Sequence, residues 1–492
     1  MIRDVKPLPM DFAPVLDDSC AQPVAFPWEE ICLSERMIVA VLPNLTARIH
    51  QVMAQQGVPG VALGLIEDQQ VLWAGGFGHA DVGSRRAMDA DAICGVASIT
   101  KTFTATAIMQ LRDQGRLSLD DPVGRYIPEI RKVRRRFGTL KDLTLRRLMT
   151  HRSGLVGEAP TGHWWEMKFP SVAKILALLP AVEIVVEPDS IFKYNNLAFV
   201  LLGEVIARVT GRSYRNYIRR RILRPLQMLS SGFDLANPRK ATGYMPERYQ
   251  DVPEVSPDPP TNGYRAAAGL RSCVTDLAKW VSLQFRTGQA EQSGAQVLSG
   301  KSLSEMHRIT FVEPDWLAGY GLTRMASRFG EKVYHHHGGS VPGFLSMVAF
   351  SKPHKLGVVV LTNKQGNIAS GTIAFEALEM LTAEAKKETE PESPQPTPAN
   401  LKPLIGRYVG MPAFGVILHI EWRDAELRLA LPADPFMLPM PPTPLLATDK
   451  PEVFVIEAGR WAGEPLTIEF DSNGRVSGFQ MSAHGGRFRK ID

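Results

Sequence analysis

The stretch Ser98-Ile99-Thr100-Lys101-Thr102-Phe103-Thr104-Ala105-Thr106-Ala107-Ile108-Met109-Gln110-Leu111 decides how this chain is read. From Thr102 to Leu111 apolar residues recur at helical spacing, and the pattern stops near Gly115, which predicts a helix. Spacing i, i+3 then puts the Ser98 hydroxyl and the Lys101 amine on one helix face. A serine hydroxyl is a poor nucleophile near neutral pH unless a neighbouring base takes its proton. At a helix N-terminus Ser98 also meets free N–H groups and a dipole that favour developing negative charge. Alone, the tetrapeptide better describes an N-cap serine followed by a solvated lysine. Two further motifs favour the chemical reading.

The first is Tyr194-Asn195-Asn196, which follows the turn-like Glu187-Pro188-Asp189-Ser190 and precedes an apolar helix, Leu197 to Thr210, closed by Gly211. A tyrosine beside a lysine ammonium loses its proton more easily and can exchange protons with serine and leaving group. Asn196 carries both a donor and an acceptor, which suits gripping a substrate amide. By themselves these residues also describe a core aromatic and a helix cap. The second is His337-Gly338-Gly339-Ser340-Val341-Pro342-Gly343-Phe344, after a strand-like Lys332-Val333-Tyr334 and before two more strand-like runs, Phe344 to Phe350 and Leu356 to Thr362. Glycines let a substrate backbone approach a strand edge. The Ser340 N–H can pair with that of Ser98 as an oxyanion hole. His337 supplies a donor or partial positive charge beside the substrate.

In this order, Ser98-x-x-Lys101, Tyr194-x-Asn196 and His337-x-Gly339 resemble the three motifs of the serine β-lactamase and penicillin-binding-protein superfamily. The tyrosine is similar to that of class C β-lactamases. The histidine is similar to that of D-Ala-D-Ala carboxypeptidases, related esterases and D-aminopeptidases. Gly57 to Ala62, Gly115 to Val123, Leu148 to Leu155 and Ala268 to Ala278 resemble further segments of the family, and the likeness spans roughly residues 35 to 385. It implies an α/β domain: one antiparallel sheet built from strands near both ends, flanked by helices, with a helical region inserted and the three motifs meeting in a cleft. It implies a serine hydrolase working through an acyl-enzyme on a small ester, amide or peptide. Ser98 would be the nucleophile, Lys101 and Tyr194 would share its proton, and Asn196, Gly339, Ser340 and His337 would orient the substrate. A β-lactamase or D-Ala-D-Ala carboxypeptidase is the second reading, and a non-catalytic sensor of acyl ligands the third.

The third motif departs from the Lys-Thr-Gly of class C β-lactamases. A neutral imidazole attracts a drug carboxylate less than an ammonium does, so neutral substrates are expected to be preferred. Three histidines run together, His335 to His337; His337 is preferred because Gly339 and Ser340 then fall where glycine and oxyanion donor belong, and His336 is the alternative. On a strand His335 and His337 share a face. Two imidazoles fall short of the three or four protein ligands zinc takes, so no metal and no cofactor is expected.

A net charge of +5 over 492 residues argues against a nucleic-acid specialist, and the basic runs Arg131 to Arg136 and Arg219 to Arg221 read as solvated faces. No run of about 18 apolar residues signals a membrane span. Met1 to Asp18 carries four aspartates and three prolines and lacks the pattern of a signal peptide, so the chain as written reads as cytoplasmic. Cys20, Cys32, Cys94 and Cys273 have no motif spacing, and Cys94 reads as a small buried apolar residue.

The expected organisation is an N-terminal extension (1–34), the hydrolase-like domain (35–387), a linker (388–400) and a small all-β domain (401–492). The linker rests on the charged, proline-rich stretch from Glu384 to Asn400, after a helix from Ile373 to Lys386. Beyond it, strand-like runs at Gly415 to Ile420, Glu426 to Leu431, Val453 to Ile456, Leu466 to Phe470 and Arg475 to Gln480 predict an antiparallel barrel or sandwich. It resembles the lipocalin-like domain appended to several hydrolases of this superfamily.

Overall fold

Strands from the two ends of the first unit meet in one nine-stranded sheet. In a computed structural model, the structure describes residues 33–235, 237–246, 254–286, 297–389, 396–410, 417–430, 442–458, 461–481 and 486–491. The strands are β1 (Gly60–Glu67), β2 (Gln70–Asp81), β3 (Arg86–Ala87), β4 (Phe311–Val312), β5 (Ala318–Tyr320), β6 (Met325–Phe329), β7 (Lys332–Val341), β8 (Phe344–Ser351) and β9 (Leu356–Thr362). Their order is β4-β5-β6-β7-β8-β9-β1-β2-β3, antiparallel throughout. β1 and β9 pair at the centre, from Val61↔Thr362 to Glu67↔Leu356. Both are buried on both faces, so they are continuous apolar runs without polar alternation. β7 is longer than expected: the third motif is part of the strand and does not follow it.

The five longer helices are α1 (Leu33–Gln56), α2 (Thr100–Asp113), α3 (Asn196–Thr210), α4 (Val274–Leu283) and α5 (Ala369–Thr389). α4 lies against β1 and β9. It comes so close that a Cβ on Gly357 would stand 2.4 Å from a Val281 methyl. On the other face α5 meets β7: Glu379 accepts from the Tyr334 hydroxyl and from Lys332 Nζ at 2.9 Å, and Phe375 stands edge-on to His336 at 5.1 Å. α2 is buried all round from Thr100 to Leu111. Its threonines are tolerated because their hydroxyls donate to main-chain carbonyls: Thr102 to Ile99, Thr104 to Ala266 and Thr106 to Thr102. The helix carrying the first motif is therefore a fixed central post.

The chain divides at Glu384 and Ala385, inside α5, which runs to Thr389 and so enters the segment read as linker. Residues 390–395 lie outside the described residues, as do the expected N-terminal extension up to residue 32, Cys20 and Cys32. The second unit is a closed eight-stranded barrel: β10 (Gly406–Gly410), β11 (Ile417–Arg423), β12 (Glu426–Ala430), β13 (Thr443–Ala447), β14 (Val453–Ile456), β15 (Pro465–Phe470), β16 (Val476–Met481) and β17 (Gly486–Lys490). Pairing of β10 with β17 closes it, Tyr408 opposite Lys490. Alternate side chains such as Leu418, Ile420, Leu427, Leu429, Phe479 and Met481 fill its interior. Three of its strands escaped the sequence reading: β10, β13, which contains Pro444, and β17, which is mostly charged. Gly415 and Val416 of the expected first run lie outside the described residues. Among the described residues no helix is long and apolar enough to cross a membrane.

Candidate active site

Ser98 sits in a 3-10 turn, Ala97–Ile99, that leads directly into α2. The turn is clamped. Val96 N–H donates to Leu270 O (3.1 Å), Ser346 Oγ donates to Val96 O (3.0 Å), and Cys94–Gly95 pairs with Arg271–Ser272. Ala97 is held at a φ of 48°, in the left-handed region. β7 crosses so tightly that a Cβ on Gly339 would lie 2.3 Å from Val96 O. Glycine is required there because the strand must touch the turn that bears the hydroxyl. Cys94 is fully buried and its thiol is pushed up to about 12 by burial, as suits a packing residue.

Lys101 is 0% exposed. Its Nζ donates to Ser98 Oγ and to Ala267 O, each at 2.9 Å. Burial lowers its pKa to about 7, against a smaller opposing pull from the Glu158 carboxylate. A substantial neutral fraction therefore exists at neutral pH, which an exposed lysine lacks.

Tyr194 stands with its ring face 4.9 Å from Lys101 Nζ and stacks on His151 (4.4 Å between centroids). Here the sequence-based expectation fails. Burial raises the Tyr194 pKa; a hydrogen bond with Ser98 offsets this only in part, and the Glu158 charge adds to it. The lysine lies over the ring, and the phenol keeps its proton. His151 accepts from Asn195 N–H through Nδ1 (3.0 Å), so Nε2 carries its proton. Asn195 is the cap of α3, its Oδ1 accepting from Ala198 N–H at 2.7 Å, and this frees Asn196 to face the cleft. The Asn196 amide NH₂ donates to Glu158 Oε1, leaving Asn196 Oδ1 and Glu158 Oε2 without a hydrogen-bond partner, although His163 Nε2 stands 3.3 Å from the latter. Glu158 was missed from sequence. It lies four residues beyond the quoted Gly154, but nothing in its local pattern announces that it folds back onto Asn196.

His337 is 2% exposed. Its Nδ1 lies 2.7 Å from Gly338 O, which can only accept, so Nδ1 carries the proton and Nε2 a lone pair. Burial first, and then the Lys101 charge, push its pKa down to about 3, so the ring is neutral at pH 7. His336 points to α5, where Phe375 meets it and its Nε2 bonds Ser327 Oγ (2.9 Å). β6 pairs with β7 only as far as Met325↔His336, so among the described residues the edge from His337 to Val341 has no strand on that side. Ser98, Tyr194, Asn196, His337, Gly339 and Ser340 all line one open cleft of about 800 Å³, with Trp164 and Met347. Among the described residues no group of three or more His, Cys, Asp or Glu side chains is placed to hold a metal ion.

Comparison with known proteins agrees with this geometry. The chain is 27% identical over 309 residues to Protein flp of Staphylococcus aureus (strain COL), 62% of this chain and 60% of that protein. It thus spans about three fifths of that relative's length. It is 27% identical over 322 residues to the D-alanyl-D-alanine-carboxypeptidase/endopeptidase AmpH of Escherichia coli (strain K12), covering 63% of this chain and 80% of AmpH. The solved structure of the octameric penicillin-binding protein homologue from Pyrococcus abyssi superposes with a TM-score of 0.60 at 25% identity, covering 91% of this chain and 100% of that one. The family model described as Beta-lactamase matches residues 45–379, from α1 to α5 and across all three motifs; the chain belongs to the Beta-lactamase family.

Proposed function

We propose that the protein is a serine hydrolase that forms an acyl-enzyme on Ser98 with small ester or amide substrates, D-amino-acid peptides included. The observation that carries this reading is the 2.9 Å contact between Ser98 Oγ and a wholly buried Lys101 amine whose pKa lies near neutrality. Neutral Lys101 takes the Ser98 proton as Oγ attacks the substrate carbonyl carbon. The N–H groups of Ser98 and Ser340 hold the oxyanion. The proton passes to the leaving oxygen or nitrogen through the protonated Tyr194 phenol, which is refilled from Lys101. Water, deprotonated by the same pair, then attacks the ester and releases Ser98 and the acid. The backbone edge from His337 to Val341 gives the substrate chain a strand to pair with.

Neutral His337 supplies no positive charge for a carboxylate, which favours neutral substrates over anionic β-lactams. Asn196 lines the cleft and its Oδ1 has no partner, an acceptor that favours a donor-bearing acyl part such as an amide or amine. Treatment with a fluorophosphonate probe followed by peptide mapping tests the reading: the adduct is expected on Ser98, and labelling that persists in Ser98→Ala would sink it.

A further inference from the structure

Arg324 immediately precedes β6 and is 1% exposed. None of its three guanidinium nitrogens has a hydrogen-bond partner among the described residues. The registers Met325↔His336 and Ala326↔His335 put Arg324 on the face of the sheet that carries His335, away from α5. There its guanidinium lies 5.5 Å from the Phe350 ring and 5.9 Å from the Trp280 ring. His307, from the helix Gly300–His307, stands against His335 with ring centroids 5.4 Å apart.

These neighbours leave the charge uncompensated. The rings offer only their faces to a cation. Gln284 donates its amide NH₂ to Trp280 O (2.9 Å), so its Oε1 accepts from His307 Nε2 (3.1 Å), and His307 Nδ1 is left as one bare lone pair. His335 Nδ1 has no partner either. Half-buried Lys352 adds positive charge to both imidazoles, and among the described residues burial alone acts on the protonation of Arg324, with no carboxylate opposing it. A guanidinium has five N–H donors and keeps its proton, so it needs acceptors and a counter-charge. Water would meet the first need only.

We propose that this place is an anion site: the Arg324 fork binds a small monovalent anion of the halide type on the sheet face that His335 and His337 share. Two measurements on the full chain test it. Crystals grown with sodium bromide should show an anomalous peak within hydrogen-bonding reach of the Arg324 guanidinium. In solution, the unfolding temperature should rise and saturate with chloride or bromide relative to gluconate at equal ionic strength, because only the folded state binds. Arg324→Met, similar in volume, should lose that halide increment. If that variant does not fold, the wild-type crystal and salt series still decide. Water at the guanidinium with bromide only at surface sites, or an unfolding temperature indifferent to halide in the wild type, would overturn the proposal.

Discussion

Lys101 and Arg324 are both wholly buried cations, and the protein treats them differently. Lys101 has two polar partners, one of them the Ser98 hydroxyl, and burial has brought its pKa to about 7. Arg324 has none among the described residues, and burial lowers its pKa only to about 9, so it stays charged at pH 7. An ammonium can answer desolvation by giving up its proton, and becomes a base. A guanidinium cannot, and is left requiring a counter-ion. Burial brings the first close to neutrality and leaves the second with a demand for counter-charge.

The most drastic way to break this contrast is to exchange the two chemistries at one place. Lys101→Arg keeps a cation beside Ser98 but removes the ability to become neutral. It should lower kcat/KM by at least about 100-fold, as Lys101→Ala should, on the scale of a general acid–base group. Tyr194→Phe should cost a similar factor, and the Lys101→Ala/Tyr194→Phe pair much less than the product, because groups that act as a unit are not additive. A Lys101→Arg enzyme with near-normal turnover would mean the lysine works only as a fixed charge. Next in size is His337→Lys, which puts an ammonium where a neutral ring now faces the cleft. The wild type should prefer a short-chain p-nitrophenyl ester to nitrocefin by about tenfold or more in kcat/KM, roughly 1.4 kcal/mol. The variant should shift that ratio toward nitrocefin, and an unchanged ratio would remove His337 from specificity.

The smallest effect concerns pH. A base must be unprotonated, so kcat/KM should fall as pH drops through about 7, the Lys101 value. Glu158 favours the charged lysine, so Glu158→Gln should lower the Lys101 pKa and move this acid limb to lower pH. The shift should amount to a fraction of a pH unit. A limb that stays in place, or moves upward, would contradict the electrostatic link.

The three motifs were legible because each is compact and sits at the start of a helix or within a strand. The central strands were legible from their apolar runs, and their joining in one antiparallel sheet only from the family resemblance. What burial does to a charge was not. Proximity of Tyr194 to Lys101 suggested an easily ionised phenol, yet burial, with the Glu158 carboxylate, raises its pKa. Glu158 reaches Asn196 across 38 residues of sequence, a contact made by folding and not by spacing. Asn195 and Asn196 are adjacent, yet one caps a helix and the other faces the cleft; only the backbone direction separates the roles. Proline in one barrel strand and charge in another hid strands that exist because closure supplies their partners.

The unpaired stretch of β7 beyond His336 also poses a problem of self-association. A bare strand edge is a template for any extended polypeptide, a second copy of the chain included. Here it is only five residues long, His337 to Val341, begins with two poor strand formers after its histidine, and is followed by Pro342, which has no N–H to donate. Gly339 cannot be exchanged for a better strand former without pushing β7 off the turn that bears Ser98. The same glycines that leave this edge open make it a poor seed for aggregation, so one local composition serves both access and colloidal safety.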